Sequence, residues 1–111
     1  MDNKKDDTYY LGKIVADLSF LILHTSGKTK DEIEGDAVLV DSVMFRLVQI
    51  AENSDKLTAN FKSENASLPW REIKGMRNRI VHDYGFIDMT IIYDTVTKDI
   101  PKMYETLKDF V

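Results

Sequence analysis

The chain has 111 residues, a net charge of −4 and no cysteine. A hydrophobic fraction of 43 % can build a core and a charged fraction of 31 % can solvate a surface, so one folded domain over 1–111 is expected, not disorder. The missing cysteine excludes a disulfide framework, a thiolate zinc site and a cysteine nucleophile, and the acidic balance excludes a broad basic coat for nucleic acid.

Residues 1–7 (MDNKKDD) are polar, lack the apolar stretch of a signal peptide and read as a flexible N-terminus. No run reaches the roughly 18 apolar residues that a membrane span requires, which points to a soluble, cytoplasmic protein with no membrane partner. From about Asp7 to Ser26, Leu11, Ile14, Leu18 and Leu21 recur at steps of three and four, the period of an amphipathic helix. Asp6 or Asp7 can cap its start and Gly27 follows its end. Thr29-Lys30-Asp31-Glu32 is a capping-box pattern that opens a short helix before Gly35.

Asp36 then caps a long stretch expected to run to about Phe61, with Val40, Val43, Met44, Leu47, Ile50 and Leu57 as its apolar stripe. Met44, Phe45, Leu47, Val48 and Ile50 crowd it, so it should touch neighbours on more than one side. Residues 63–67 (SENAS) read as a loop, and Pro69 suits the first position of a third long helix ending at Gly85. Asp88 opens the last segment, in which Pro101 should kink or restart the helix. No strand alternation is visible. Long helices with short connections predict an all-α, up-and-down antiparallel four-helix bundle with one short additional helix.

The segment from Trp70 to Tyr84 departs from a plain bundle helix. Between residues 71 and 79, Arg71, Lys74, Arg77 and Arg79 against Glu72 give a local charge of +3 within a chain of −4. At about 100° per residue, Ile73, Met76 and Ile80 fall on one apolar face. With Arg77 placed at 0°, Tyr84 falls at about −20°, Asn78 at about 100° and His82 at about 140°. A guanidinium grips two phosphate oxygens and stabilises developing charge. An imidazole titrates near neutrality and can take a proton from a ribose 2′-hydroxyl or give one to a leaving 5′-oxygen. Spacing alone leaves a second reading open, because basic residues near a helix C-terminus commonly compensate the dipole. That bland reading also suits His24 at the end of the first helix. Trp70 reads as a core or interface anchor and Glu52 as a solvated position with a chance of lining the cleft.

Arg77-Asn78-Arg79-Ile80-Val81-His82-Asp83-Tyr84 resembles the R-x4-H-x-Y form of the HEPN superfamily signature found in HepT-like toxins. The likeness extends to residues 68–78 (LPWREIKGMRN), similar to a PW-x-x-I-x-G-x-RN lead-in, and to residues 94–101 (DTVTKDIP). Ala51 stands where a glycine is common in the family, and Gly85-Phe86 reverses a frequent Phe-Gly. The resemblance covers roughly residues 9–110 and implies a HEPN-type bundle that forms homodimers with two R-x4-H motifs facing each other. It implies a metal-independent endoribonuclease toxin of a HEPN–MNT toxin–antitoxin module, with RNA as substrate and no DNA partner. Arg77 and His82 would be catalytic. Asn78, Arg79 and Arg71 would bind or support phosphate, and Tyr84 would accept AMP from a minimal nucleotidyltransferase antitoxin. The chain itself would need no cofactor or metal, since ATP and magnesium belong to that partner. A non-catalytic helical module that binds a nucleotide or a nucleotidyltransferase is the alternative.

Overall fold

A computed structural model describes residues 6–111, and every regular element among them is helical. The flexible N-terminus expected over 1–7 therefore lies mostly outside the described residues. Asp6 and Asp7 are its exceptions: Asp6 caps α1 (Asp7–Thr25) by accepting from the Tyr9 N–H at 3.1 Å, and Asp7 is the first helical residue. The short α2 (Lys30–Glu34) carries both halves of the expected capping box. Its Thr29 backbone N–H and hydroxyl hold the Glu32 carboxyl below its ordinary pKa.

The long third segment divides where one continuous helix was expected. Helix α3 (Ala37–Asp55) ends at Lys56, and α4 (Ala59–Glu64) starts anew. Thr58 breaks the run because it caps α4, accepting from the Phe61 N–H at 3.2 Å. Its own N–H and hydroxyl donate to Asp7 at 2.9 and 2.7 Å. Leu57 and Phe61 remain buried across the break, so the apolar spacing survives although the helix does not. The same restart moves Ser63 and Glu64 from the expected loop into α4.

Pro69 sits one place earlier than the sequence suggested. It is the residue before α5 (Trp70–Asp83), and its carbonyl accepts from the Ile73 N–H at 3.0 Å. Tyr84–Phe86 add a single 3₁₀ turn. The last segment comprises α6 (Met89–Asp94), a π turn over Thr95–Asp99, α7 (Ile100–Leu107) and a final 3₁₀ turn at Lys108–Phe110. Asp88 caps it by accepting from the Thr90 N–H at 2.8 Å. The π turn is the answer to Pro101. An interior proline removes a donor and crowds the carbonyl four residues back, and here the Ile100 N–H bonds to the Thr95 carbonyl five residues back. One wide turn restarts the helix without ending it.

Helix α3 is the hub, in contact with α1, α2 and α5, while α7 packs on α1. Asp7 at the start of α1 meets Thr58 beyond the end of α3, and Asp17 pairs with Arg46 at mid-length, so α1 and α3 run in opposite directions. At the other end of α1, the Tyr93 hydroxyl donates to the Lys28 carbonyl at 3.3 Å. Ile14, Leu18, Leu21, Leu47, Ile50, Ile73, Ile92, Ile100, Met103 and Leu107 are fully buried in one continuous cluster. Replacing Leu47 by alanine, at 1 % exposure, is expected to cost roughly 2–5 kcal/mol, measurable as a lower urea midpoint with an unchanged slope.

Candidate functional site

Helix α5 carries Glu72 beside Arg71 in its first turn and His82 beside Asp83 in its last, so neither end has a net charge that complements the helix dipole. Ile73, Met76 and Ile80 are its buried residues, the apolar face expected from the projection. Burying that face sets the rotation of the helix and turns the polar groups to the surface.

Three of those groups meet carboxylates on α3. The Lys74 ammonium lies 3.8 Å from Asp55, and the Arg77 Nε–H donates to Glu52 Oε1 at 2.9 Å. The Tyr84 hydroxyl donates to Asp41 Oδ1. Numbers fall along α3 as they rise along α5, so these two helices also oppose. The Arg77–Glu52 pair is only partly exposed, 33 % and 42 %. A pair of that kind contributes on the order of 0.2–1 kcal/mol, too little to hold α5 but enough to hold one side chain. Arg77 Nη1 also donates to Asn78 Oδ1 at 3.1 Å. The guanidinium is thus gripped through Nε and one Nη, and Nη2 has no partner among the described residues.

His82 is exposed and bonds to no described residue. Asn78, which shares its side of the helix, is engaged by Arg77. Tyr84 begins the 3₁₀ turn instead of closing the helix, and is 47 % exposed beside Phe86 at 91 %. Asp41 raises the Tyr84 pKa above its ordinary 10.0, chiefly because a carboxylate accepting the hydroxyl proton opposes ionisation, and slight burial adds to this.

Arg71 and Arg79 do not join this group. They line a separate groove of about 510 Å³ between α5 and the last segment, together with Glu72, Asp94, Lys98 and Asp99. Burial and the Glu72 carboxylate push the Asp99 pKa up there, partly offset by Lys102 and Lys98. Of the six expected site residues, then, Arg77 and Asn78 are brought together, His82 stands free on the same helix, Tyr84 meets Asp41, and two arginines line another groove. Periodicity gave no hint of Asp41, because nothing in one helix's spacing tells which residue of a neighbour it will meet. Glu52 was open to either reading and proves to be a direct partner of Arg77. Among the described residues no group of three or more His, Asp or Glu stands together as a metal site.

The family profile described as Ribonuclease HepT-like matches residues 14–110. The chain belongs to the HepT-like family. A candidate RNase of Caldanaerobacter subterraneus subsp. tengcongensis is 30 % identical over 102 residues, 92 % of this chain and 91 % of that one. A gamma-glutamylcyclotransferase and candidate RNase of Methanocaldococcus jannaschii is 30 % identical over 104 residues, covering 94 % of this chain and 47 % of that longer protein. The candidate ribonuclease HepT of Thermococcus cleftensis is 34 % identical over 62 residues, 56 % of each chain. No solved structure matches. No helix among the described residues is long and apolar enough to cross a membrane.

The Tyr84–Asp41 bond makes a titration prediction. Because Asp41 raises the Tyr84 pKa, the bond is intact at neutral pH and is lost as pH rises through the elevated value. Asp41→Asn removes the anionic acceptor and should bring Tyr84 back down toward 10.0. The phenolate absorbance difference between Asp41→Asn proteins with and without Tyr84→Phe isolates that one hydroxyl. An unmoved titration would mean the pair does not persist in solution.

Proposed function

We propose that this HepT-like chain is a metal-independent endoribonuclease toxin of a HEPN–MNT toxin–antitoxin system. The observation that supports it most directly is the state of Arg77: a guanidinium oriented by Glu52 at 2.9 Å with an open Nη, one and a half turns from an exposed imidazole. In this reading the helices form the up-and-down antiparallel bundle, and two chains pair as a homodimer in the cytoplasm. Arg77 and His82 project about 140° apart around α5, too far round for one phosphate to engage both comfortably from one helix. A second copy facing the first supplies the missing group to each phosphate.

The reaction is an internal transesterification. One His82 imidazole takes the proton of the ribose 2′-hydroxyl, and the 2′-oxygen attacks phosphorus. The bond to the 5′-oxygen breaks, and that oxygen leaves with a proton from the facing protomer's imidazolium. The products are a 2′,3′-cyclic phosphate and a 5′-hydroxyl. Arg77 neutralises the charge that builds on the non-bridging oxygens, and Asn78 keeps the guanidinium from swinging away. Arg79 and Arg71 bind flanking phosphates from their own groove.

Silencing by the nucleotidyltransferase antitoxin, which brings ATP and magnesium, follows from Tyr84. Its oxygen attacks the α-phosphorus of ATP, pyrophosphate leaves, and the phenolic proton passes to solvent through Asp41. The new phosphodiester cannot donate to Asp41 and carries a negative charge beside it. Repulsion by Asp41 and attraction by Arg77 would carry the nucleotide into the space that RNA occupies.

The wild-type protein should cleave single-stranded RNA in the presence of a chelator and leave cyclic phosphate ends. His82→Ala and Arg77→Ala should each lose about 10²-fold or more, with helicity and oligomeric state unchanged. Cleavage by His82→Ala at the wild-type rate would refute the site. AMP uptake without any RNA cleavage by the wild type would favour the non-catalytic module instead. Tyr84→Phe should abolish adenylylation while leaving cleavage in place.

A further inference from the structure

A groove of about 490 Å³ runs between α1 and α3, lined by none of the candidate site residues Arg71, Arg77, Asn78, Arg79, His82 and Tyr84. Tyr9, Tyr10 and Phe45 present aromatic rings to it, Lys13 and Lys56 present ammonium groups, and Gln49 presents an amide. The one acid in its wall, Asp17, is already held by Arg46 at 2.7 Å, and that guanidinium lies 3.9 Å from the Phe20 ring centroid. The local balance of Lys13, Arg46 and Lys56 against Asp17 is +2 in a chain of −4. The two lysines are exposed and lie over the Tyr9 and Tyr10 rings, 5.5 and 5.6 Å from the centroids. Phe45 is 57 % exposed and Tyr9 41 %.

Tyr10 packs partly against the core and meets the Tyr9 ring edge-on at 5.2 Å, Phe45 stands exposed, and the fully buried positions of α1 and α3 are aliphatic. Rings interleaved with lysines along a groove suit one ligand chemistry well. Base faces stack on aromatic side chains, ammonium groups meet the phosphates between them, and an amide can read a base edge. Phe45 to Lys56 spans about 16 Å at 1.5 Å per residue, the length of a few nucleotides and more than one mononucleotide fills. Phe45 also lies on the exposed side of α3 between Asp41 and Glu52. A strand leaving the groove at that ring would pass onto the face where Arg77 sits.

We propose that the α1–α3 groove is a second binding site, an exosite that holds a single-stranded segment of the RNA beside the scissile phosphate. Tyr9 and Phe45 stack its bases, and Lys13 and Lys56 contact its phosphates. The choice of RNA among polyanions rests on the ribonuclease reading, but binding to the groove can be measured without cleavage.

The test uses the full chain carrying His82→Ala to suppress cleavage, and fluorescence anisotropy of a labelled single-stranded RNA of about a dozen nucleotides. Adding Lys13→Gln and Lys56→Gln should weaken binding about tenfold and make the log–log salt dependence shallower by about 1.4, at roughly 0.7 per phosphate contact on a single strand. Phe45→Leu keeps apolar bulk, removes the ring, and should also cost about tenfold. All the variants should keep the parent's thermal midpoint, because every changed side chain is exposed. Parent-like affinity and salt slope in these variants would overturn the exosite, as would AMP competing as well as the strand, or an absence of RNA binding. Cleavage is followed separately with His82 intact. Variants that bind normally beside a wild type that cleaves would leave the nuclease reading standing without the groove. Variants that lose binding beside a wild type that never cleaves would leave the groove standing without the nuclease.

Discussion

The rotation of α5 about its own axis is the constraint on which the site depends. Ile73, Met76 and Ile80 are 1 %, 5 % and 4 % exposed, and burying such side chains contributes roughly 1.5–3 kcal/mol each. The ion pair between Arg77 and Glu52 is worth a fraction of that. The apolar face therefore decides which way the helix turns, and the carboxylates of α3 only steer side chains that the rotation has already delivered. A Gly, Asn or charged residue at any of the three apolar positions would disturb Arg77, His82 and Tyr84 together, by turning the whole helix.

How much of this was legible follows from what periodicity encodes. It encodes which residues share a face, so the buried trio of α5, the core stripe of α1 and the crowding of α3 can be read directly. Local capping chemistry is legible for the same reason: Thr29 with Glu32, and Asp88, act within three residues of chain. The α3–α4 break was hidden because Leu57 and Phe61 keep helical spacing across it, while the group that makes Thr58 worth breaking for, Asp7, lies 51 residues away. The π turn was half legible. Pro101 announces a disturbance, but whether the chain kinks, stops or widens depends on what the neighbouring turns can absorb. Thr95 and Thr97 already bond back to the carbonyls of Ile91 and Tyr93, a habit that loosens helical geometry just before the proline.

The site was legible in its residue types more than in its partners. Arg77, Asn78, His82 and Tyr84 stand out on one helix, whereas Glu52 and Asp41 are ordinary acids on another until the fold sets them opposite. Charge alone groups Arg71 and Arg79 with Arg77, whereas the fold places them on a groove of their own. A +3 segment is a sum over all sides of a helix, and here the sum divides between two surfaces. The groove that holds Arg71 and Arg79 also holds Asp94 and Asp99, so its field is far weaker than the count of arginines suggests.

Helix α3 links the surfaces, because each of its flanks meets a different neighbour. Toward α5 it presents Asp41, Glu52 and Asp55, three acids that would repel a polyanion if left bare. Each instead has a partner from the α5 segment, Lys74, Arg77 or Tyr84, so the acids act as supports for those side chains. Toward α1 it presents Arg46 and Lys56, with Asp17 neutralised by the first. On the α1 flank the acid is the more buried member of its pair, Asp17 beneath Arg46, whereas on the α5 flank Arg77 and Glu52 are exposed to similar degrees. A net charge of −4 is therefore a poor guide to what a phosphate would meet. Much of the remaining acid lies elsewhere, in exposed residues such as Asp31, Glu34, Asp83 and Asp109. Such a distribution favours a single phosphodiester held at chosen points over a duplex coated along its length.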